Sequence, residues 1–331
     1  MRPLVIACAL GGITLLVTLV LVSSPAAILA ILISSPAPLA AASVYRAVPL
    51  AFYAVSWRLL IAPDARPRSA TLLRMRWIGE SVNALLPVAQ IGGDVARARL
   101  LAQQGAPVPV AAASMVADLG VGAATQVVFT ATGAVAFSVH GSLGTLARGI
   151  VIVCVALAAG TAALVFVARV GTARILRRLP MFRDGAFDLV THAESVDRAL
   201  AEIGDRPADL AIAFALHLCG WFTQVFETWL ILRLISPGVS ASAALAIESL
   251  ALAARSAVFV VPGGVGVQEG ALMLLAAPFG IGAPVALSLG LIKRMREVVV
   301  GAPAILAWSI AERQLLDRLW RRLTRRPGGE G

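Results

Sequence analysis

E-S-V-N-A-L-L-P-V-A-Q-I-G-G-D-V-A-R-A-R-L-L, Glu80 to Leu101, is long enough to cross a bilayer, yet Pro87 and the pair Gly92-Gly93 stand near its middle. Proline removes a backbone donor and glycine loses the most freedom in a helix, so the stretch reads as half-helix, break, half-helix. Glu80, Asn83, Pro87, Gln90, Asp94 and Arg97 recur at steps of three and four, one polar stripe on a helix. At membrane depth such a stripe must face protein or water, because lipid satisfies no polar group. A second stretch repeats the pattern, from E-S-L at Glu248 to V-P-G-G-V-G-V-Q-E-G, Val261 to Gly270, broken at Pro262, Gly263, Gly264 and Gly266.

Around these two stretches lie apolar runs at residues 3–22, 38–61, 108–137, 147–168, 207–234 and 284–311, each near the roughly 20 residues a spanning helix needs. Residues 24–34 read as a short interfacial helix. Arg58, Arg66, Arg68, Arg74 and Arg76 crowd one loop, Arg169 to Arg206 fill another and Arg313 to Arg326 form the tail. Residues 138–146 and 235–241 carry no Arg or Lys. Basic segments stay cytoplasmic. That assignment holds only if residues 77–101 and 242–282 each enter and leave the membrane on one side. The first then enters from the cytoplasm and the second from the periplasm, consistent with an inverted-topology repeat whose broken helices meet near the midplane.

The expected fold is therefore an all-α polytopic membrane protein with about six full transmembrane helices and two re-entrant half-helix pairs. Residues 1–313 form the transmembrane domain, including a cytoplasmic amphipathic connector at 170–206, and residues 314–331 a basic cytoplasmic tail. Both termini are expected in the cytoplasm of a bacterium with this chain in its inner membrane. Within the connector, Phe182, Leu189, Ala193, Val196, Leu200 and Ile203 recur at helical spacing opposite Asp188, Arg198 and Asp205. That pattern fits a helix lying on the membrane surface as a structural link.

Composition agrees. Of 331 residues 59% are hydrophobic and 14% charged, against about 25% charged in soluble domains. The net charge of +10 fits cytoplasmic loops better than a nucleic-acid surface, so no nucleic-acid partner is expected. Cys8, Cys154 and Cys219 are scattered through apolar runs without a ligand pattern, and are expected to be small buried side chains. No metal and no cofactor are expected. Arg2 with the run Leu4 to Val22 resembles a signal peptide, but the run exceeds the usual 7–15 residues of its apolar core, which favours an uncleaved span.

Several polar constellations are candidates for a substrate site. Asp94 follows two glycines and reads equally as an N-cap, with Arg97 and Arg99 reaching the interface. Gln268 and Glu269 sit in the first turn after the second break, where a helix N-terminus can receive a phosphate or can be satisfied by Glu269 itself. Lys293, Arg294, Arg296 and Glu297 lie inside the last span, where each charge costs roughly 2.5 to 3.5 kcal/mol on insertion scales. Lys293 or Arg294 can pair with Glu297, leaving a positive excess; Glu248, Arg255, Glu269, Asp118 and Glu227 are the candidate countercharges for the members of this cluster. Such charges lock a fold or mark a pathway, and their cost favours the pathway. Asp118 shares a face with Ser114 and Thr125, and His217, Trp221, Gln224 and Thr228 share another beside Glu227; interhelical glue explains these equally. His140 and His192 lack a paired acid and nucleophile, and no hydrolase, zinc-protease or phosphate-loop signature is present, so no catalytic residue is expected.

R-W-I-G-E-S-V-N-A-L-L-P-V-A-Q-I-G-G-D-V-A-R-A-R-L-L at 76–101, V-P-G-G-V-G-V-Q-E-G-A-L at 261–272 and L-I-K-R-M-R-E at 291–297 resemble the flippase-like transmembrane region of lysylphosphatidylglycerol synthases, and within it the hopanoid-biosynthesis-associated branch. The resemblance runs through nearly the whole chain. It implies lipid translocation without the aminoacyl transfer that larger relatives carry in a soluble domain. By position it points to Glu80, Asn83, Pro87, Gly92, Gly93, Asp94 and Arg97, then to Pro262, Gly263, Gly264, Gly266 and Glu269, with Arg294 and Arg296 completing the basic motif.

The function expected is translocation of a polar or anionic lipid, a hopanoid or phospholipid, with Arg forks on phosphate oxygens. Membrane lipids are the expected partners, with lipid or hopanoid biosynthesis enzymes. A non-transporting scaffold for those enzymes is the alternative, and an intramembrane lipid-modifying enzyme the third.

Overall fold

A computed structural model describes residues 2–34, 36–86, 91–140, 151–152, 155–156, 158–163, 171, 187–258, 261 and 264–324. Among the described residues the chain is helical and forms no strand. The helices are α1 (Arg2–Val22), α2 (Pro25–Ser34), α3 (Pro36–Tyr45), α4 (Ala47–Leu60), α5 (Ser69–Leu85), α6 (Gly92–Gln103), α7 (Val108–His140), α8 (Phe187–Gly204), α9 (Pro207–Ile235), α10 (Ala241–Ala257), α11 (Val267–Ala276) and α12 (Ala283–Thr324).

Three spans among the described residues are long and apolar enough to cross a membrane: Pro36–Leu60, which joins α3 to α4, Val108–Val139 and Pro207–Ile235. A fourth counts if Leu10–Val22 and Pro25–Ile33, bent by 93°, are one span. The expected run at 147–168 lies largely outside the described residues. The last expected span is present within α12, but its charges set it apart from the purely apolar spans. At 42 residues α12 is about 60 Å long, twice the hydrocarbon core, and carries on through the start of the basic tail.

Both broken stretches fold back on themselves. α5 packs on α6, and α10 on α11. Glycine permits the first turn-back: a Cβ at Gly93 would lie 1.9 Å from the Gly79 carbonyl oxygen, and one at Gly79 2.9 Å from that of Gly93. At the second break Gly264 and Gly266 take φ of 63° and 80°, a region that disfavours side chains. α1 seats against this break, with the Gly12 carbonyl oxygen 2.4 Å from where a Gly266 Cβ would be. Pro87, Gln90, Pro262 and Gly263 lie outside the described residues.

The helices repeat in two sets, α4–α7 and α9–α12. In each set the second helix packs on the third and the third on the fourth, and the fourth crosses to the other set: α7 packs on α10, and α12 on α5. The crossings use matching residues. Gly133 of α7 abuts Ser249 of α10, and Gly301 of α12 abuts Ser81 of α5; Ser81 and Ser249 each follow a glutamate, Glu80 and Glu248. α4 and α9 pair with each other and run antiparallel, because Tyr53 meets His217 and Ser56 donates to the Ala213 carbonyl, while Tyr45 at the end of α3 meets Phe226. Two sets with these matched crossings and an antiparallel α4–α9 pair are consistent with the inverted repeat that the charge pattern suggests.

One apolar cluster is centred in each set, the second also taking in Phe137 of α7, and a smaller one joins Ile78 and Val82 of α5 to Ala304 of α12. Trp57, Ile61, Leu72, Met75, Leu101 and Met115 fill the first, and Ile231, Leu232, Ile247, Leu250, Leu272 and Ile292 the second. α8 is amphipathic as expected, but Val196, Ala199, Leu200 and Ile203 cover Leu60, Ala113 and Ala213, so protein takes at least part of the apolar face assigned to lipid. Arg206, just after α8, donates to the carbonyls of Leu59 and Ile61, satisfying the C-terminal end of α4. Cys219, expected to be buried, is exposed on α9; in lipid an outward face is apolar, so apolar patterning alone does not say which face turns inward. The Cys8 side chain and Cys154 lie outside the described residues.

Candidate functional site

A cavity of about 250 Å³ lies between the two sets, far above the roughly 10–15 Å³ that one water needs. Arg46 and Gln224 on its wall stand near the middle of Pro36–Leu60 and Pro207–Ile235. Lipid cannot reach these groups with a compensating partner, so the chain must supply each charge with one.

In the first set Glu80 accepts from Arg46, and also from Arg76 at 2.9 Å. Asp118 Oδ2 accepts from Arg76 at 2.6 Å and Arg97 at 2.8 Å, and Arg97 also pairs with Asp94. Arg76 lies over the Tyr53 ring at 4.9 Å and Arg97 over Trp57 at 5.1 Å. Arg97 is 3% exposed, so it is a buried counterion and not an interfacial anchor. Asn83 Oδ1 accepts from the Gly93 backbone at 2.7 Å, so the preceding half-helix caps α6.

In the second set Lys293 pairs with Glu248, which also accepts from Thr228 at 2.6 Å. Arg294 pairs with Glu269 at 2.8 Å and Glu297 at 3.0 Å, Arg255 with Glu297 at 2.9 Å, and Arg296 with Glu227 at 3.1 Å. The second oxygen of Glu269 accepts from the Gly266 backbone at 2.7 Å. Glu269, fully buried, therefore satisfies the α11 N-terminus itself. The positive excess expected on the last span is answered by acids from α9, α10 and α11 that the linear sequence separates from it.

These ion pairs stay within a set. Across the cavity the sets meet through neutral groups: Gln224 to Tyr53 at 2.8 Å, Trp221 to Thr125 at 3.0 Å, Gln126 to Ser256 at 2.6 Å, and Trp77 to the Val300 carbonyl at 2.8 Å. Arg46 also reaches Gln224 at 3.4 Å. Two acid-base contacts join the sets: Arg66, between α4 and α5, pairs with Asp209 of α9 at 3.0 Å, and His217 Nδ1 and Asp118 Oδ1 are buried 4.0 Å apart, too far for a hydrogen bond.

Of the candidate residues, Glu80, Asn83, Glu248, Arg255, Lys293, Arg296 and Glu297 line the cavity. Asp94, Arg97, Asp118, Glu269 and Arg294 lie behind the wall as partners of other charges. His217, Trp221, Gln224 and Gln268, read above as interhelical or helix-start residues, also line it, and so do Arg46, Arg76 and Tyr53, which are not among the candidate site residues. Arg46 interrupts an apolar span, which was signal enough; Arg76 was assigned to a basic loop but is 8% exposed within α5. Facing the cavity are Arg46, Arg76, Arg255, Lys293 and Arg296 against Glu80, Glu248 and Glu297, an excess of two positive charges among the described residues. Among the same residues no group of three His, Cys, Asp or Glu side chains comes together to hold a metal.

The family model for the lysylphosphatidylglycerol synthase TM region matches residues 4–304 of the chain, from α1 to the middle of α12. The chain belongs to this family. No curated protein and no solved structure matches it. The match takes in both broken hairpins and every residue of the cavity wall, and makes the chain a multi-pass membrane protein of lipid metabolism or transport.

Proposed function

We propose that the chain translocates a polar or anionic lipid, a hopanoid or phospholipid, across a bacterial inner membrane, with both termini in the cytoplasm. The headgroup passes through the cavity between the two helix sets while the acyl chains stay in lipid. No bond is made or broken, and the chain is not an enzyme. The observation that carries this reading is the cavity wall: costly buried charges, each of them ion-paired, line an open space at mid-span. The ion pairs of the cavity wall lie within one set or the other, which supports movement of one set against the other; the charged contacts between sets include Arg66 with Asp209 and Arg46 with Gln224. Lipid or hopanoid biosynthesis enzymes are the proposed neighbours that supply or use the lipid.

Reconstitution tests the proposal. Proteoliposomes with purified protein should make inner-leaflet headgroups accessible to an external reagent faster than protein-free liposomes of the same lipids. A scaffold would leave the two rates equal while still capturing biosynthetic enzymes.

A further inference from the structure

We infer that the cavity selects a compact dianionic headgroup, a phosphate monoester, over a monoanionic phosphodiester or a headgroup carrying an ammonium. This rests on the translocation reading and names its substrate class. Five cations and three carboxylates face the cavity. Asp118 and Glu227, which pair with Arg76 and Arg296, sit behind the wall, so the balancing negative charge is farther from a ligand than the positive charge is. A ligand bearing two negative charges matches the excess on the facing side chains.

The donors suit phosphate oxygens. Arg46 uses Nη1 and Nη2 on Gln224 and Glu80, and Arg255 uses Nη1 on Gln268 and Glu297. A guanidinium carries five N–H groups, more than these bonds consume, and its fork matches the terminal oxygens of a monoester.

An ammonium finds no such welcome. The three facing carboxylates already hold cations: Glu80 has Arg46 and Arg76, Glu248 has Lys293, and Glu297 has Arg255 and Arg294. The Tyr53 ring face is occupied by Arg76, and Trp221 stacks on Phe129 at 5.6 Å. These contacts cover the Tyr53 face and one face of Trp221, with Trp77 the further indole of the wall.

The test uses the full-length protein in proteoliposomes with phosphatidic acid, phosphatidylglycerol or phosphatidylcholine as the reported lipid, and with inorganic phosphate as a soluble probe. Phosphatidic acid should move fastest. Its rate should fall as pH drops through about 6, where a monoester loses its second charge, while phosphatidylglycerol stays slow and flat. Arg255→Gln removes one wall charge while Arg294 still holds Glu297, and should cut the preference for phosphatidic acid over phosphatidylglycerol about tenfold. Arg255→Lys, which keeps the charge, should retain most of it. Equal rates for the three lipids would overturn the selectivity and leave translocation standing. Phosphate entry without lipid movement would keep dianion selection and overturn the lipid reading; no movement of any probe would overturn both.

Discussion

Asp118 holds two guanidinium groups on one oxygen, Arg76 at 2.6 Å and Arg97 at 2.8 Å, and its removal would leave two buried like charges with less to separate them. Losing one partner of a buried pair costs about 3–5 kcal/mol. Asp118→Asn should therefore lower the thermal unfolding midpoint in detergent markedly, and an unchanged midpoint would show that the network contributes little. Gly93→Ala should also destabilise, by at least the roughly 1–3 kcal/mol of an overpacked core, because its Cβ would meet the Gly79 carbonyl at 1.9 Å. Gly270→Ala is the control, meeting only Leu19 Cδ1 at 3.6 Å. Equal midpoints for the two would argue that α5 and α6 are not in close contact. At this scale the sequence marked Glu80, Glu248 and the 293–297 cluster by the cost of placing charge in lipid. It did not say which acid meets which base, because pairing is decided by helix packing between positions far apart in the chain.

Helix elements were legible where composition alone decides them. Pro87 with Gly92-Gly93, and Gly264 with Gly266, marked both hairpins, because backbone freedom is local information. The lateral packing of α8 was not, since a helix that covers protein and one that lies on lipid share the same apolar stripe. The crossings of α7 on α10 and α12 on α5 carry their own prediction. A Cβ at Gly133 would fall 1.5 Å from Ser249 Oγ and 2.7 Å from its Cβ, whereas one at Gly301 would meet the mobile end of Leu85 at 2.8 Å and Ser81 Cβ at 3.4 Å. Gly133→Ala should cost more stability than Gly301→Ala in the same unfolding assay. The reverse order would contradict the packing at these two matched crossings.

For the whole molecule, the inverted repeat was expected from loop charge and reappears in the antiparallel pairing of α4 with α9 and the reciprocal crossings. It fixes sidedness. Cysteines at Asp64 and Gly105, which flank the first hairpin, should label from one side of the membrane, and cysteines at Gly238 and Gly280, which flank the second, from the other. Labelling of Asp64 and Gly105 from opposite sides would make α5 and α6 a full crossing and remove the repeat.

The central claim is that the charged wall between the sets handles a headgroup, and Arg296 tests it most directly. It is 6% exposed, faces the cavity and pairs with Glu227. The measurement is headgroup translocation by wild-type, Arg296→Lys and Arg296→Gln proteins in matched proteoliposomes, after each is shown to be folded. The account predicts a fast wild type, an intermediate lysine variant that keeps charge but loses the fork, and a glutamine variant near the protein-free rate. Wild-type rates in both variants would contradict it.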